Sequence, residues 1–260
     1  TFNAALRQSG VEKDFYHDGK NLLASFQMSI FSDIKAYTAN PGEILKMRSR
    51  TSIQKLKAYI VQAVLFFCSL TSFLALWIRY AVTQKPVVAV YSIDVMSDTV
   101  HKRDGRVSYM YTYMKEQNEP QLELMHTVPT LKSIKNFFNR SDWVIYIESV
   151  HFMADHVSFF NHTKTDKSGS LNFEDCSDSD KEFLKELYRK YNRRKDQFVI
   201  SQGIYSRIFS AFKIKRFWSI DDTRYVPEIL PQLLVRSIPT YMFQHGHYTK
   251  YHVGFLAGIF

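Results

Sequence analysis

Short apolar runs alternate with amphipathic stretches after Pro86. The first run, Val87-Val88-Ala89-Val90-Tyr91, has no strongly polar residue, as expected for a strand that is covered on both faces. Similar runs occupy residues 122–125, 143–147, 198–200, 217–220 and 241–243. Helical patterns occupy residues 107–117, 131–139, 180–192, 204–212 and 227–237. This alternation predicts an α/β domain, a parallel sheet with flanking helices, over residues 86–260.

Residues 1–85 have a different pattern and are predicted to form a helical, apolar region in front of that domain. A helix is indicated at residues 21–31, and residues 58–78 contain no charged side chain. The second segment is long enough to cross a bilayer as a helix. Basic residues lie on both sides of it, among them Lys57 and Arg79. We therefore expect contact with a membrane, either spanning it or lying in its interface; the alternative is a buried helix of a soluble domain.

Composition narrows the functional classes. The chain of 260 residues has 45% hydrophobic residues, so it can bury a substantial core, and its net charge of +9 favours anionic partners. Residues 207–216 interleave basic and apolar side chains, which is typical of a solvated face or of contact with anionic lipid. The sequence has no P-loop, no Gly-x-Gly-x-x-Gly, no zinc-ligand spacing and no recognised nucleic-acid motif. We expect no metal, no cofactor and no nucleic acid.

Polar clusters follow two of the predicted strands. Asp221, Asp222 and Arg224 come directly after the strand at 217–220, and Gln244-His245-Gly246 follows the strand at 241–243. The carboxyl ends of parallel strands are where open α/β sheets bind ligands, so we expect a site at this edge. Three further imidazoles, His247, His252 and His126, are predicted to lie at the same rim or close to it.

These motifs resemble those of a known family. Gln244-His245-Gly246, followed by His252-Val253-Gly254-Phe255, is similar to the Gln-His-Gly motif of bacterial surface-polysaccharide glycosyltransferase-like proteins of the GT-B type, which have two Rossmann domains. Asp221-Asp222-Thr223-Arg224 and Ile238-Pro239-Thr240 fit that pattern, as does the phrase Tyr16 to Leu22. The resemblance implies that the α/β part is the amino-terminal Rossmann-like domain. The second domain would begin after Phe260, so we expect this sequence to be a fragment.

The resemblance also implies a reaction, the transfer of a sugar from a nucleotide-sugar donor to a lipid-linked or growing cell-surface polysaccharide. His245 is expected to act as general base, and Asp221 or Asp222 to orient it or the sugar. Arg224 is expected to hold a phosphate or brace a carboxylate. Gln244, Gly246, His247 and His252 are expected to shape the substrate-binding rim.

Two other functions stay open at this point. A glycerophosphotransferase of the teichoic-acid type uses a related His-Gly element, and a non-catalytic, membrane-tethered α/β scaffold would need no chemistry at all. Nucleotide sugars and reduced cysteines both suit the cytoplasmic face of the membrane, where we expect the protein to act as a peripheral or single-span protein.

Overall fold

A five-stranded parallel sheet forms the centre of the α/β part. The structure, a computed structural model, describes residues 6–7, 10–17, 20–39, 52–93, 119–139, 143–161, 177–219 and 226–242. The strands are β3 (Val87–Ile93), β4 (Gln121–His126), β5 (Val144–Tyr146), β6 (Ile214–Ser219) and β7 (Thr240–Met242). Their spatial order is β5-β4-β3-β6-β7, and every pair is parallel. The predicted α/β class with a parallel sheet is confirmed, and the strand order is Rossmann-like.

The described residues contain six α-helices, and all except the first contribute residues that pack against this sheet. In chain order they are α1 (Leu23–Ala39), α2 (Ser52–Thr83), α3 (Leu131–Asn139), α4 (Ile147–Asn161), α5 (Asp178–Ser210) and α6 (Val226–Val235). Met125, Val144 and Tyr146 pack against α2 and α3, whereas alternate strand residues such as Leu124 and Phe217 join a core with α4, the end of α5 and α6. The described side chains of β3, β4 and β5 are almost all buried, which explains the nearly continuous apolar runs there, whereas Lys215 and Tyr241 leave β6 and β7 partly exposed.

Helix α2 contains the predicted apolar segment. Residues Leu56–Thr83 are long and apolar enough to cross a membrane by length and composition, although one face of the helix packs within the protein. Ser69 fixes this helix to β5, an edge strand: its Oγ accepts the Tyr146 N–H at 2.9 Å and lies 2.8 Å from Ser149 Oγ. The chain thereby covers one open edge of the sheet.

A second compact unit contains the amino-terminal elements. A 3-10 helix (Val11–Phe15), the short antiparallel pair β1 (Tyr16–His17) and β2 (Lys20–Asn21), and α1 pack with the first half of α5. Asn21 Oδ1 accepts the Leu23 N–H at 2.9 Å and so caps the start of α1. Buried aromatic rings dominate this core, with Phe15 against Tyr188 and Phe26 against Phe198.

The contacts among the described residues divide them into two compact units. The described residues up to Ala39 belong with 157–200, and residues 52–156 belong with 201–242. Helix α2 is thus part of the unit that holds the sheet. Along the chain, the division falls within the residue ranges of α4 and α5.

The predictions from local patterns differ from the structure in three places. The strand predicted at 198–200 is wrong, because these residues lie within α5, where Phe198 is buried in the amino-terminal core. The helices predicted at 180–192 and 204–212 are parts of that one helix. Helix α4 had no predicted counterpart, and it starts immediately after β5, at Ile147. The helix predicted at 107–117 lies outside the described residues.

Candidate functional site

The carboxyl edge of the sheet is the candidate site. The central strand β3 comes first in the chain; β4 and β5 extend the sheet to one side, and β6 and β7 extend it to the other. The strand order therefore reverses between β3 and β6. In open α/β sheets, ligands bind outside the carboxyl ends of the strands at such a switch point.

The residues predicted for catalysis and binding follow strands that end at this edge. Asp221, Asp222 and Arg224, together with Gln244, His245, Gly246, His247 and His252, lie outside the described residues. The two strands before them are described: Ser219, the last residue of β6, is the register partner of Met242, the last residue of β7. The chain therefore enters both polar segments from adjacent strand ends, as the sequence predicts, and the roles of the eight side chains stay predictions.

His126 is the one predicted imidazole that the structure describes. It is the last residue of β4, and its Nδ1 forms a hydrogen bond with Glu148 Oε1. The other carboxylate oxygen of Glu148 accepts the Thr127 N–H at 3.0 Å. Both His126 and Glu148 are buried. The prediction that His126 lies at a strand end is confirmed, and its carboxylate partner was not foreseen.

Glu148 lies in the first turn of α4, directly after β5. The partial positive charge at a helix amino terminus stabilises a carboxylate there. The local signal in the sequence was an acidic residue two positions after an apolar strand, in Val144-Ile145-Tyr146-Ile147-Glu148. That signal indicates a helix start, but it does not identify His126 as the partner.

A second histidine and carboxylate pair joins α4 to α6. His151 Nε2 lies 2.7 Å from Glu228 Oε2, and Glu228 is buried in the first turn of α6. Helix α6 begins at Val226, directly after the segment that contains Asp221, Asp222 and Arg224. This pair links the start of α6 to α4. We refer to His126, Glu148, His151 and Glu228 as the rim cluster.

A third buried carboxylate lies nearby within the sheet. Glu123, in β4, accepts a hydrogen bond from Ser92 Oγ near the end of β3. The register places Glu123 between Val90 and Val144, so neighbouring strands enclose it on both sides. Residues 122–125 were predicted to be an apolar run, so a buried carboxylate at this place was not expected.

The rim cluster consists of two imidazole and carboxylate pairs at the start of two helices. Two helices begin at this part of the molecule, and each has a carboxylate in its first turn that is already bound to an imidazole. Helix amino termini commonly bind phosphate, but a carboxylate in the first turn repels a second anion. Carboxylates and imidazoles instead pair well with hydroxyl groups, as donors and acceptors of hydrogen bonds. Within the described ranges, no group of three His, Cys, Asp or Glu side chains converges as metal ligands do.

Comparisons with known proteins add no assignment. No protein-family model, no curated protein and no solved structure matches this chain.

Proposed function

We propose that this protein is a GT-B type glycosyltransferase that acts at the cytoplasmic face of a membrane, and that the described sheet belongs to its acceptor-side Rossmann-like domain. The reaction transfers a sugar from a nucleotide-sugar donor to a lipid-linked or growing cell-surface polysaccharide. The observation that supports it best is the register of Ser219 with Met242. This register places the ends of β6 and β7 side by side, so the two segments that contain the motifs begin at adjacent strand ends, next to the switch point.

In the proposed reaction, His245 accepts the proton of an acceptor hydroxyl as the oxygen attacks the anomeric carbon. The bond from that carbon to the nucleotide diphosphate breaks, and the diphosphate leaves with the electron pair. Asp221 or Asp222 orients His245 or the sugar, and Arg224 pairs with a phosphate. Gln244, Gly246, His247 and His252 shape the rim around the acceptor.

The rim cluster supports transfer to a sugar acceptor. Glu148 and Glu228 occupy the first turns of α4 and α6, so an anionic acceptor would meet like charge there. These carboxylates are buried and already paired, so they act on an acceptor through their charge and not by direct contact. This favours an uncharged sugar over glycerol phosphate at this part of the rim.

Transfer assays test the proposal. Membranes from cells that express the protein are incubated with radiolabelled UDP- or GDP-sugars, and label in the lipid and polysaccharide fractions is counted. We expect incorporation from one class of donor. His245→Ala should lower turnover by about two to four orders of magnitude, the usual effect of losing a positioned general base.

His247→Ala and His252→Ala are the matched controls, and they should reduce turnover less because they only shape the rim. Circular dichroism of each variant reports the fold. Wild-type turnover in a folded His245→Ala protein would refute the catalytic assignment. Label from CDP-glycerol alone would replace sugar transfer by glycerophosphate transfer, and no incorporation from any donor would leave the scaffold role.

A further inference from the structure

Helix α2 has one face that is buried in the protein and another that is apolar and exposed. One face packs on the sheet, with Val61, Leu65, Cys68 and Ser72 all buried. These positions follow one another at intervals of three or four residues, which places them on one side of a helix. The packed face is held in the protein, since Ser69 between them bonds the backbone of β5.

The other face of α2 is apolar and exposed. Its side chains recur at intervals of seven or four residues over almost the whole helix and so form one stripe. The stripe consists of Ile53 (79% exposed), Ile60 (53%), Phe67 (62%), Leu74 (47%), Ile78 (58%) and Val82 (80%). From Ile53 to Val82 the stripe runs for about 44 Å, at a rise of about 1.5 Å per residue. A continuous apolar surface of this size marks an interaction site.

Charge and aromatic residues indicate what covers this stripe. Helix α2 contains no Asp or Glu, and Lys57 and Arg79 lie exposed near its two ends, with Lys85 just beyond it. Tyr59 and Trp77 are both half exposed and lie on one border of the stripe. Cations attract the negative charge of a lipid surface, and Tyr and Trp favour the headgroup level.

We propose that α2 lies in the plane of an anionic lipid surface, with the stripe from Ile53 to Val82 embedded at the level of the headgroups and upper acyl chains. The packed face excludes a spanning helix, because crossing the bilayer would pull Val61, Leu65 and Ser69 out of the core. The proposal does not depend on the sugar-transfer reaction, since a protein without activity would still bind lipid.

The basic stretch at 207–216 contributes less than the sequence indicated. Lys215 Nζ lies 2.7 Å from Glu119 Oε1, and Arg216 pairs with the same carboxylate. Glu119 offsets much of their charge. We therefore expect Lys57, Arg79 and Lys85 to supply most of the attraction to anionic lipid.

Flotation with vesicles tests the stripe. The chain is mixed with vesicles of equal parts phosphatidylglycerol and phosphatidylcholine, and the bound fraction is measured against lipid concentration. The triple variant Phe67→Gln, Leu74→Gln, Ile78→Gln should bind at least about tenfold more weakly, because it places amides in the embedded face. Leu234→Gln with Val235→Gln, on α6, is the matched control, since these side chains are also exposed (66% and 82%). It should bind as the wild type does.

Charge variants test the choice of anionic lipid. Lys57→Gln with Arg79→Gln should weaken binding and reduce its dependence on salt, whereas Lys181→Gln with Arg189→Gln, on α5, should change neither. Vesicles of pure phosphatidylcholine should bind the wild type more weakly. Equal, salt-independent binding to both kinds of vesicle would overturn the anionic part of the proposal.

Quenching by brominated lipids tests the orientation. In a Trp143→Phe, Trp218→Phe background, Trp77 is the sole tryptophan; a second variant moves it to the middle of α2 by Trp77→Phe with Phe67→Trp. Both tryptophans should be quenched best by bromines at carbons 6 and 7 of the acyl chain. Stronger quenching of the residue 67 tryptophan by bromines at carbons 11 and 12 would show a spanning helix and overturn the proposal.

Sedimentation equilibrium gives the competing outcome of self-association. If the wild type is a dimer that the glutamine triple variant converts to a monomer, and neither protein floats with vesicles, the stripe is a contact between two copies of this chain. That result would overturn the proposal. Near-ultraviolet circular dichroism confirms that each variant retains its packed core.

Discussion

At the scale of single residues, Glu148 holds the end of β4 in place. It accepts the Thr127 N–H and pairs with His126, and all three residues are buried. Glu148→Ala removes both bonds and leaves polar groups without this partner in a dry environment. We expect a loss of about 2 to 3 kcal/mol in the free energy of unfolding, measured by urea denaturation. Glu182→Ala, on the surface of α5, should change it by less than about 0.5 kcal/mol. A cost for Glu148→Ala as small as that of the control would show that the pair does not stabilise the fold.

Glu119, again a single residue, should make the stability of the protein depend on pH. The hydrogen bond from Lys215, together with the charge of Arg216, holds the pKa of the Glu119 carboxyl below its usual value. A lowered pKa in the folded state adds stability above the unfolded value of about 4.3, and this stability is lost as pH falls below it. Glu119→Gln should therefore cost about 0.5 kcal/mol at pH 7, as is usual for a partly exposed ion pair.

The cost of Glu119→Gln should disappear in acid. The measurement is urea unfolding of wild type and variant at pH 7, 5 and 3. A difference between them that stays constant over this range would show that Glu119 is not stabilised in its charged form.

At the scale of elements, Ser69 joins α2 to the edge of the sheet. Ser69→Ala removes the acceptor of the Tyr146 N–H and the partner of the Ser149 hydroxyl. We expect a loss of about 1 to 2 kcal/mol, because both groups are buried. Thr71→Ala is the matched control, since this exposed hydroxyl only donates to the Cys68 carbonyl within the same helix. Chemical denaturation compares the two. Equal costs would mean that Ser69 does not fasten the helix.

At the scale of the whole molecule, the described residues divide into two compact units, each with buried hydrophobic residues of its own. Phe26 belongs to the amino-terminal core, and Phe217 lies in the core around the sheet. Alanine at either position should cost about 3 to 5 kcal/mol within its own core. Hydrogen exchange read by mass spectrometry should show faster exchange in α1 for Phe26→Ala, while β3 and β4 keep their protection. Uniform loss of protection throughout the chain would show that the two cores unfold as one.

The strands of the sheet were predictable because strands that are buried on both faces consist mostly of apolar residues. The runs at 87–91, 122–125 and 217–220 correspond to β3, β4 and β6, with boundaries that move by no more than three residues. The run at 198–200 has the same composition, but it is too short to distinguish a strand from one buried turn of a helix. Only the packing of Phe198 among the aromatic residues of the amino-terminal core shows which it is.

Only the location of the candidate site could be predicted from the sequence. Polar residues after the strands at 217–220 and 241–243 indicate the carboxyl edge, and the parallel register of β6 with β7 confirms that both strands end there. The partners in the rim cluster were not predictable. His126 and Glu148 are 22 residues apart, and His151 and Glu228 are 77 apart, so no local pattern relates them.

Helix α2 separates what the sequence determines from what only the tertiary structure decides. The sequence by itself determined that residues 58–78 are helical and uncharged, because those properties depend on composition and length. It could not determine which apolar side chains face the protein, since Leu65 and Phe67 are equally apolar. The tertiary structure decided this by burying Leu65 against β5 and leaving Phe67 62% exposed. Burial depends on neighbours that are distant in the sequence, and they separate a packed face from one that is open to lipid.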